Sequence, residues 1–439
     1  MINNLNKYNC PQYYNVHYDN LKQTYRLYSN LPYPYSYPYT SIAPNLVADN
    51  NSCDRNRFLC PLFYGPDYDP VNGQCHSPNH DQTTDLTYCN RDARCDKYDY
   101  LCYEQTPFQN PGYCNQFDFL MLVSNFIGLA RNFDINLLDP WGIVIVNDIV
   151  WVANAGTGLI TSYDLAGVPL FPSINVFGPG DNITSPTAIV SNINPTIFFV
   201  VNDSLSEPST LLVATRDGTI NGYNYDVDPI NSFIVIDNSM NNSVYTGLAL
   251  VNNILYAADF YNGKIDVFDS NYNPITTFSF IDEYSADPIP EDYAPFNIVN
   301  VIDLLYVVYA KQNPNDNQYE LPGRGNGYIS IFSLNGTFIR RFASRGLLNA
   351  PWGLVMAPSW FGFPSGSIMV ANFGDGTVTV FDDNGKCIGN LKDANGNDIC
   401  LDGIRALTFN PNYLKILYFT ASADNLRTAF VGVITTKLI

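Results

Sequence analysis

The chain has 439 residues, of which 46% are hydrophobic, 14% aromatic and 14% charged, with 29 glycines, 29 prolines and a formal net charge of −19. An acidic chain with no Lys/Arg cluster does not suit a nucleic-acid binder, whose phosphate contacts need a basic face. Low charge with abundant turn formers points away from helical architectures and reads as all-β, where one closed fold can exceed the usual domain length.

The first 115 residues differ from the rest. Residues 1–50 are rich in Tyr, Asn and Pro, and "LPYPYSYPY" at 31–39 alternates prolines that prevent both helix and ladder pairing, so the segment is expected to be extended, near polyproline II. Residues 51–115 form a cysteine-rich module. Cys10, Cys53, Cys60, Cys75, Cys89, Cys95, Cys102 and Cys114 contain no C-x-x-C spacing, which favours a disulfide-stapled unit of unknown pairing over zinc. Disulfides need an oxidising setting, yet the N-terminus has no basic region followed by an apolar run, and no stretch approaches the roughly 18 apolar residues of a membrane span. Export without a cleaved signal, or oxidation in a particle such as a virion, reconciles the two; the alternative is ten reduced thiols in a cytosol. Three histidines, His17, His76 and His80, all lie in this part of the chain, which excludes a histidine-based mechanism further on.

From Phe117 onward, short apolar runs alternate with Asn-Asp, Gly-Thr-Gly and Gly-Val-Pro turns, and the pattern repeats. Inner strands are predicted at "PWGIVIV" (140–146), "PTAIVSN" (186–192), "YTGLALV" (245–251), "PFNIVNV" (295–301), "PWGLVMA" (351–357) and "GIRALTF" (403–409). Each precedes a second strand, such as "IVWVANA" or "SIMVANF", and a third, such as "GLITSYD" or "GTVTVFD". The spacing is the blade period of a β-propeller. The sixth unit ends after its third strand, and "FDFLMLVSN" at 117–125 belongs to no unit, so it is expected to supply the missing outer strand. The expected fold is an all-β, six-bladed β-propeller over 116–439, closed by an N-terminal outer strand in a 3+1 blade and preceded by the cysteine-rich, disulfide-stapled unit. A further bridge, Cys387 to Cys400, is expected to pin the loop "IGNLKDANGNDI".

"LVSNFIGLARNFDINLLDPWGI" followed by "VWVANAGTGLITSYDLAG" resembles the opening of a family of six-bladed, NHL-like propellers found in bacterial exported proteins and large DNA viruses. The resemblance covers about 117–439. It implies a fold and transfers no activity. The high Asn, Tyr and Ile content agrees with A+T-rich coding, which is common in such viruses.

NHL-like and gluconolactonase-like enzymes hold a divalent cation at the propeller mouth through Asn, Asp and Glu oxygens. Here Asn154, Asp259 and Asn372 end second strands and are the candidates for a calcium or ligand site, calcium being a hard cation that takes oxygen ligands. The competing reading is that they cap their own glycine turns. No catalytic residue and no resident cofactor is assigned from sequence. The expected role is a non-enzymatic structural or binding protein of a virion, or of an extracellular or cell surface. Its partners would be other proteins, including its own copies, with no nucleic acid. A metal-dependent hydrolase or lyase at the mouth is the rival.

Overall fold

The computed structural model describes residues 116–202, 205–359 and 361–436, together with a two-residue ladder of Tyr68–Asp69 against Gln74–Cys75. Cys10, Cys53, Cys60, Cys89, Cys95, Cys102, Cys114 and the expected disulfide-stapled unit lie outside these residues.

Six sheets follow one another around a central axis, antiparallel except for a short parallel pairing of Asn132–Phe133 with Phe117–Ser124 in the last. Blade 1 runs through Pro140–Val146, Ile149–Asn154, Leu159–Tyr163 and Ile174–Asn175, with each strand hydrogen-bonded to the next. Blades 2, 4 and 5 repeat this order from Pro186–Ser191, Tyr293–Val301 and Pro351–Met356, respectively. Blade 3 has three strands, starting at Tyr245–Val251, and its outer edge is completed only by local bonding near Pro274 and Ile275. Blade 6 begins at Leu407–Asn410, four residues later than predicted, because Arg405 and Ala406 already bond to Thr420 in a less regular geometry.

The ring closes as expected. Phe117–Ser124 pairs antiparallel with Thr428–Thr436, the third strand of blade 6, so the sheet edge at the C-terminal end is covered by the chain's own N-terminal strand.

Tight hairpins set the register between inner and second strands. Asn147-Asp148, Asn252-Asn253 and Ile302-Asp303 all have positive φ at both positions, the requirement of a type I′ turn. The strands are apolar on both faces because each blade is packed between two neighbours. Around the axis, the inner strands approach so closely that a Cβ on Gly353 would clash with the carbonyl oxygen of Arg405. That contact explains the Pro-Trp-Gly signature: its glycine lets one inner strand pass the next.

Two insertions interrupt the plain repeat. In blade 2 a hairpin, Phe199–Asn202 with Leu205–Pro208, stands between the inner and second strands. In blade 4 the second strand is extended, Leu304–Asn313, and turns back as Asp316–Glu320 before the third strand, Gly327–Phe332.

The two cysteines of the expected Cys387–Cys400 bridge are placed at different ends of one strand. Cys387 pairs with Phe381 at one end of the third strand of blade 5, whereas Cys400 bridges Thr377 beyond the other end. Four residues of strand separate those partners by about 13 Å, and a disulfide needs Cα atoms within about 7 Å. Cys387 is buried.

Candidate functional site

The mouth is the face where inner strands begin and second strands end. At or just before the start of the inner strands stand, in blade order, Trp141, Thr187, Thr246, Phe296, Trp352 and Arg405, all of them buried. Trp141 packs edge-on to Trp352 at 5.9 Å and to Phe296 at 6.0 Å, and Phe296 meets Phe260 at 4.9 Å. These rings plug the axis. Beyond the plug, the inner strands of all six blades line a channel of about 340 Å³.

The three oxygen-bearing residues predicted for the mouth lie on blades 1, 3 and 5, and each engages its own blade. Asn154 donates its amide to Val152 O, Leu159 O and Thr161 Oγ1. Asp259 accepts from the backbone of Val244 and Asn262 through Oδ1, and from the Asn262 side chain through Oδ2. Asn372 accepts from Asn349 N and donates to Thr377 and Thr379. Of their four side-chain oxygens, Asn154 Oδ1 alone makes no hydrogen bond within the chain. Among the described residues, no three His, Cys, Asp or Glu side chains come together as a metal cluster. The donor set at these three positions fits turn capping in blades 3 and 5, with one oxygen to spare in blade 1.

Arg405, which sequence reasoning passed over, sits at the centre of the mouth and is 1% exposed. Its guanidinium lies between two rings, 3.7 Å from the Trp141 centroid and 3.9 Å from that of Phe373. Asp139 and Glu320 are its carboxylate neighbours, each at 3.7 Å, outside hydrogen-bond reach. Nε and Nη1 of Arg405 and Oε2 of Glu320 are buried without a hydrogen bond in the chain. Burial lowers the arginine's pKa, opposed by the charges of Asp139 and Glu320.

The blade 4 hairpin supplies Glu320 and covers this centre. Gln312, at its base, donates to Phe260 O at 2.6 Å. Arg216 of blade 2 donates to Gln318 O at 2.7 Å, and its guanidinium stands 4.2 Å from the Tyr319 ring and 5.7 Å from Trp141. The hairpin thus joins blades 2, 3 and 6 across the mouth. The repeat itself carried a signal for this site: Arg405 is the charged residue at a position that is aromatic or Thr in the other blades.

A second feature lies on the outside of blades 1 and 2. Trp151 stacks on Phe171 at 6.0 Å with an interplanar angle of 6°, and Phe171 meets Tyr225 at 6.5 Å. Phe171 and Tyr225 are 46% and 58% exposed, and Val168 and Leu170 beside them are also exposed. The result is an aromatic ladder open to solvent.

The strand order and its closure define a six-bladed β-propeller. No protein-family profile matches the chain. It is 34% identical to the uncharacterized protein R640 of Acanthamoeba polyphaga mimivirus over 90% of this chain and 94% of the relative. It is 43% identical to the uncharacterized protein R648 of the same virus over 71% and 78%. The chain belongs to this family of mimivirus proteins. Among solved structures, it resembles a streptogramin B lyase at 11% identity over 73% of this chain and 98% of that one, TM-score 0.45. It also resembles the calcium-binding regucalcin of Agrobacterium tumefaciens at 13% identity over 69% and 93%, TM-score 0.44. Neither likeness bears on activity.

Proposed function

We propose that the protein is a non-enzymatic binding protein of a giant-virus particle or surface. In this reading, the propeller is the rigid scaffold and residues 1–115 attach it to neighbouring copies. The supporting observation is the exposed ladder of Trp151, Phe171 and Tyr225, since single exposed apolar residues are ordinary but a contiguous aromatic surface favours a partner. Its occupant is the Tyr/Pro segment 31–39 of a second copy. Proline-rich extended segments dock on aromatic-lined surfaces at low entropic cost, and 17 of the 32 tyrosines lie in residues 1–115. The mimivirus relatives supply the viral setting.

Sedimentation of the full chain over a concentration series tests this. Self-association is expected, weakened about tenfold or more by Phe171→Asp, which corresponds to loss of a central aromatic contact. A chain that stays monomeric at every concentration, with and without reductant, refutes the reading.

Calcium-dependent chemistry at the mouth has one observation in its favour, the unpartnered Asn154 Oδ1. Calcium titration of the wild type and of Asn154→Ala distinguishes it: a heat signal lost in the variant would revive it.

A further inference from the structure

We propose that the mouth is a carboxylate-binding site in which Glu320 acts as an internal stand-in for the ligand. The inference is independent of the aromatic ladder on blades 1 and 2. A guanidinium offers five N–H donors in a planar fork suited to a carboxylate. Trp141 and Phe373 cover both faces of Arg405, leaving the in-plane edge as its means of recognition. That edge faces Glu320 at 3.7 Å, a separation at which the charges attract but neither group is hydrogen-bonded. Buried polar atoms without partners are costly, and in native proteins such atoms are uncommon. Here the unpartnered atoms belong to both members of one ion pair, so Glu320 neutralises Arg405 without satisfying it.

The covering hairpin is suited to yielding. Its strand Asp316–Glu320 is exposed through Tyr319, and on the blade 2 side it is held by one backbone acceptor and one ring contact to Arg216. Withdrawal of Glu320 would leave Arg405 and Arg216 facing a carboxylate, with Trp141 beside both. A closer, two-point hydrogen bond to Arg405 is what a free carboxylate could make and the tethered one does not.

The test uses the full chain titrated with benzoate, and in parallel with a short Glu-containing peptide, at constant ionic strength with chloride as control. Removing an internal competitor raises apparent affinity by the inverse of the fraction of open molecules, so Glu320→Gln is expected to bind about tenfold or more tightly than the wild type. Arg216→Gln, a half-buried position, is expected to weaken binding while leaving the fold intact. Benzoate should also increase amide exchange across residues 312–321 of the wild type, a readout that needs no variant. Tighter binding of benzoate than of peptide assigns the site to free organic acids, and the reverse assigns it to acidic peptide segments. Equal affinity of the wild type and Glu320→Gln, a response to chloride equal to that to benzoate, or unchanged exchange in the hairpin would each overturn the proposal.

Discussion

Among the described residues, Arg341 and Arg405 both bury their side chains, and they are held in opposite ways. Arg341, in the outer strand of blade 4, meets Asp282 through Nη2 at 2.8 Å and through Nε at 3.1 Å. Its Nη1 donates to Ser344 Oγ at 2.8 Å and to Asp287 O at 3.2 Å, and Ser330 bonds the same carboxylate. Every nitrogen is used, and the effect is to clasp the connection between blades 3 and 4 onto the sheet. Arg405 is as deeply buried, yet its carboxylates stand at 3.7 Å and two of its nitrogens make no bond. Satisfied burial fixes structure; unsatisfied burial stores free energy that a ligand can release.

Breaking the clasp gives the largest expected effect. Arg341→Met leaves Asp282 charged, buried and unpaired, at an expected cost of about 3–5 kcal/mol, measurable as a fall in the urea midpoint at unchanged slope. A loss below about 1 kcal/mol would mean that Asp282 finds another partner and the contrast fails. Gly353→Ala comes next, because its added Cβ meets the Arg405 backbone and must push blades 5 and 6 apart. Overpacking of this kind costs about 1–3 kcal/mol. Unlike Arg341→Met, it is expected to disturb the mouth, seen as altered tryptophan fluorescence from Trp141 and Trp352.

Blade count, strand order and the closing strand were legible because each depends on local periodicity: apolar runs, two-residue turns, and glycines where backbones must bend or pass. Gly158 and Gly376, the last glycines of "ANAGTG" and "ANFGDG", have φ of +73° and +76°, so the repeated motif records a turn. The mouth was less legible. Asn154, Asp259 and Asn372 are adjacent to glycine turns whether they cap them or hold a cation, and only coordinates show where each oxygen goes. Arg405, Glu320 and Arg216 come from blades 6, 4 and 2, so no sequence spacing links them. The covering hairpin is polar and exposed, which gave its strand no apolar alternation to read, although Asn313-Pro314 between two polar runs marked its turn.

Replacing both partners of each pair together separates a structural ion pair from a releasable one. Arg405→Met with Glu320→Leu removes an ion pair that forms no hydrogen bond and leaves side chains suited to the surrounding rings. Stability is expected to stay within about 1 kcal/mol of the wild type, or to rise. Arg341→Met with Asp282→Leu is expected to remain destabilised, since Ser330, Ser344 and the Asp287 carbonyl lose partners. Equal losses in the two double variants would show that the mouth pair is as structural as the clasp.

The smallest effect is pH-dependent and again belongs to the mouth side of the ring. Burial raises the pKa of Asp375 against the hydrogen bonds from Thr377 and Asn349 and the nearby charge of Arg324. A carboxyl with a raised folded-state pKa binds its proton more readily in the native state than when unfolded. Its stabilising contribution is complete below the unfolded value of about 3.9 and is lost as pH rises through the raised value. Asp375→Asn does not titrate and keeps a carbonyl acceptor for Thr377, so its stability relative to the wild type should be poorest near pH 4 and improve by about pH 7. Thermal midpoints of the two proteins at both pH values decide it. A difference that is constant or moves the other way would mean that the Thr377 and Asn349 bonds, rather than burial, govern this carboxylate, making it a bonded strut like Asp282.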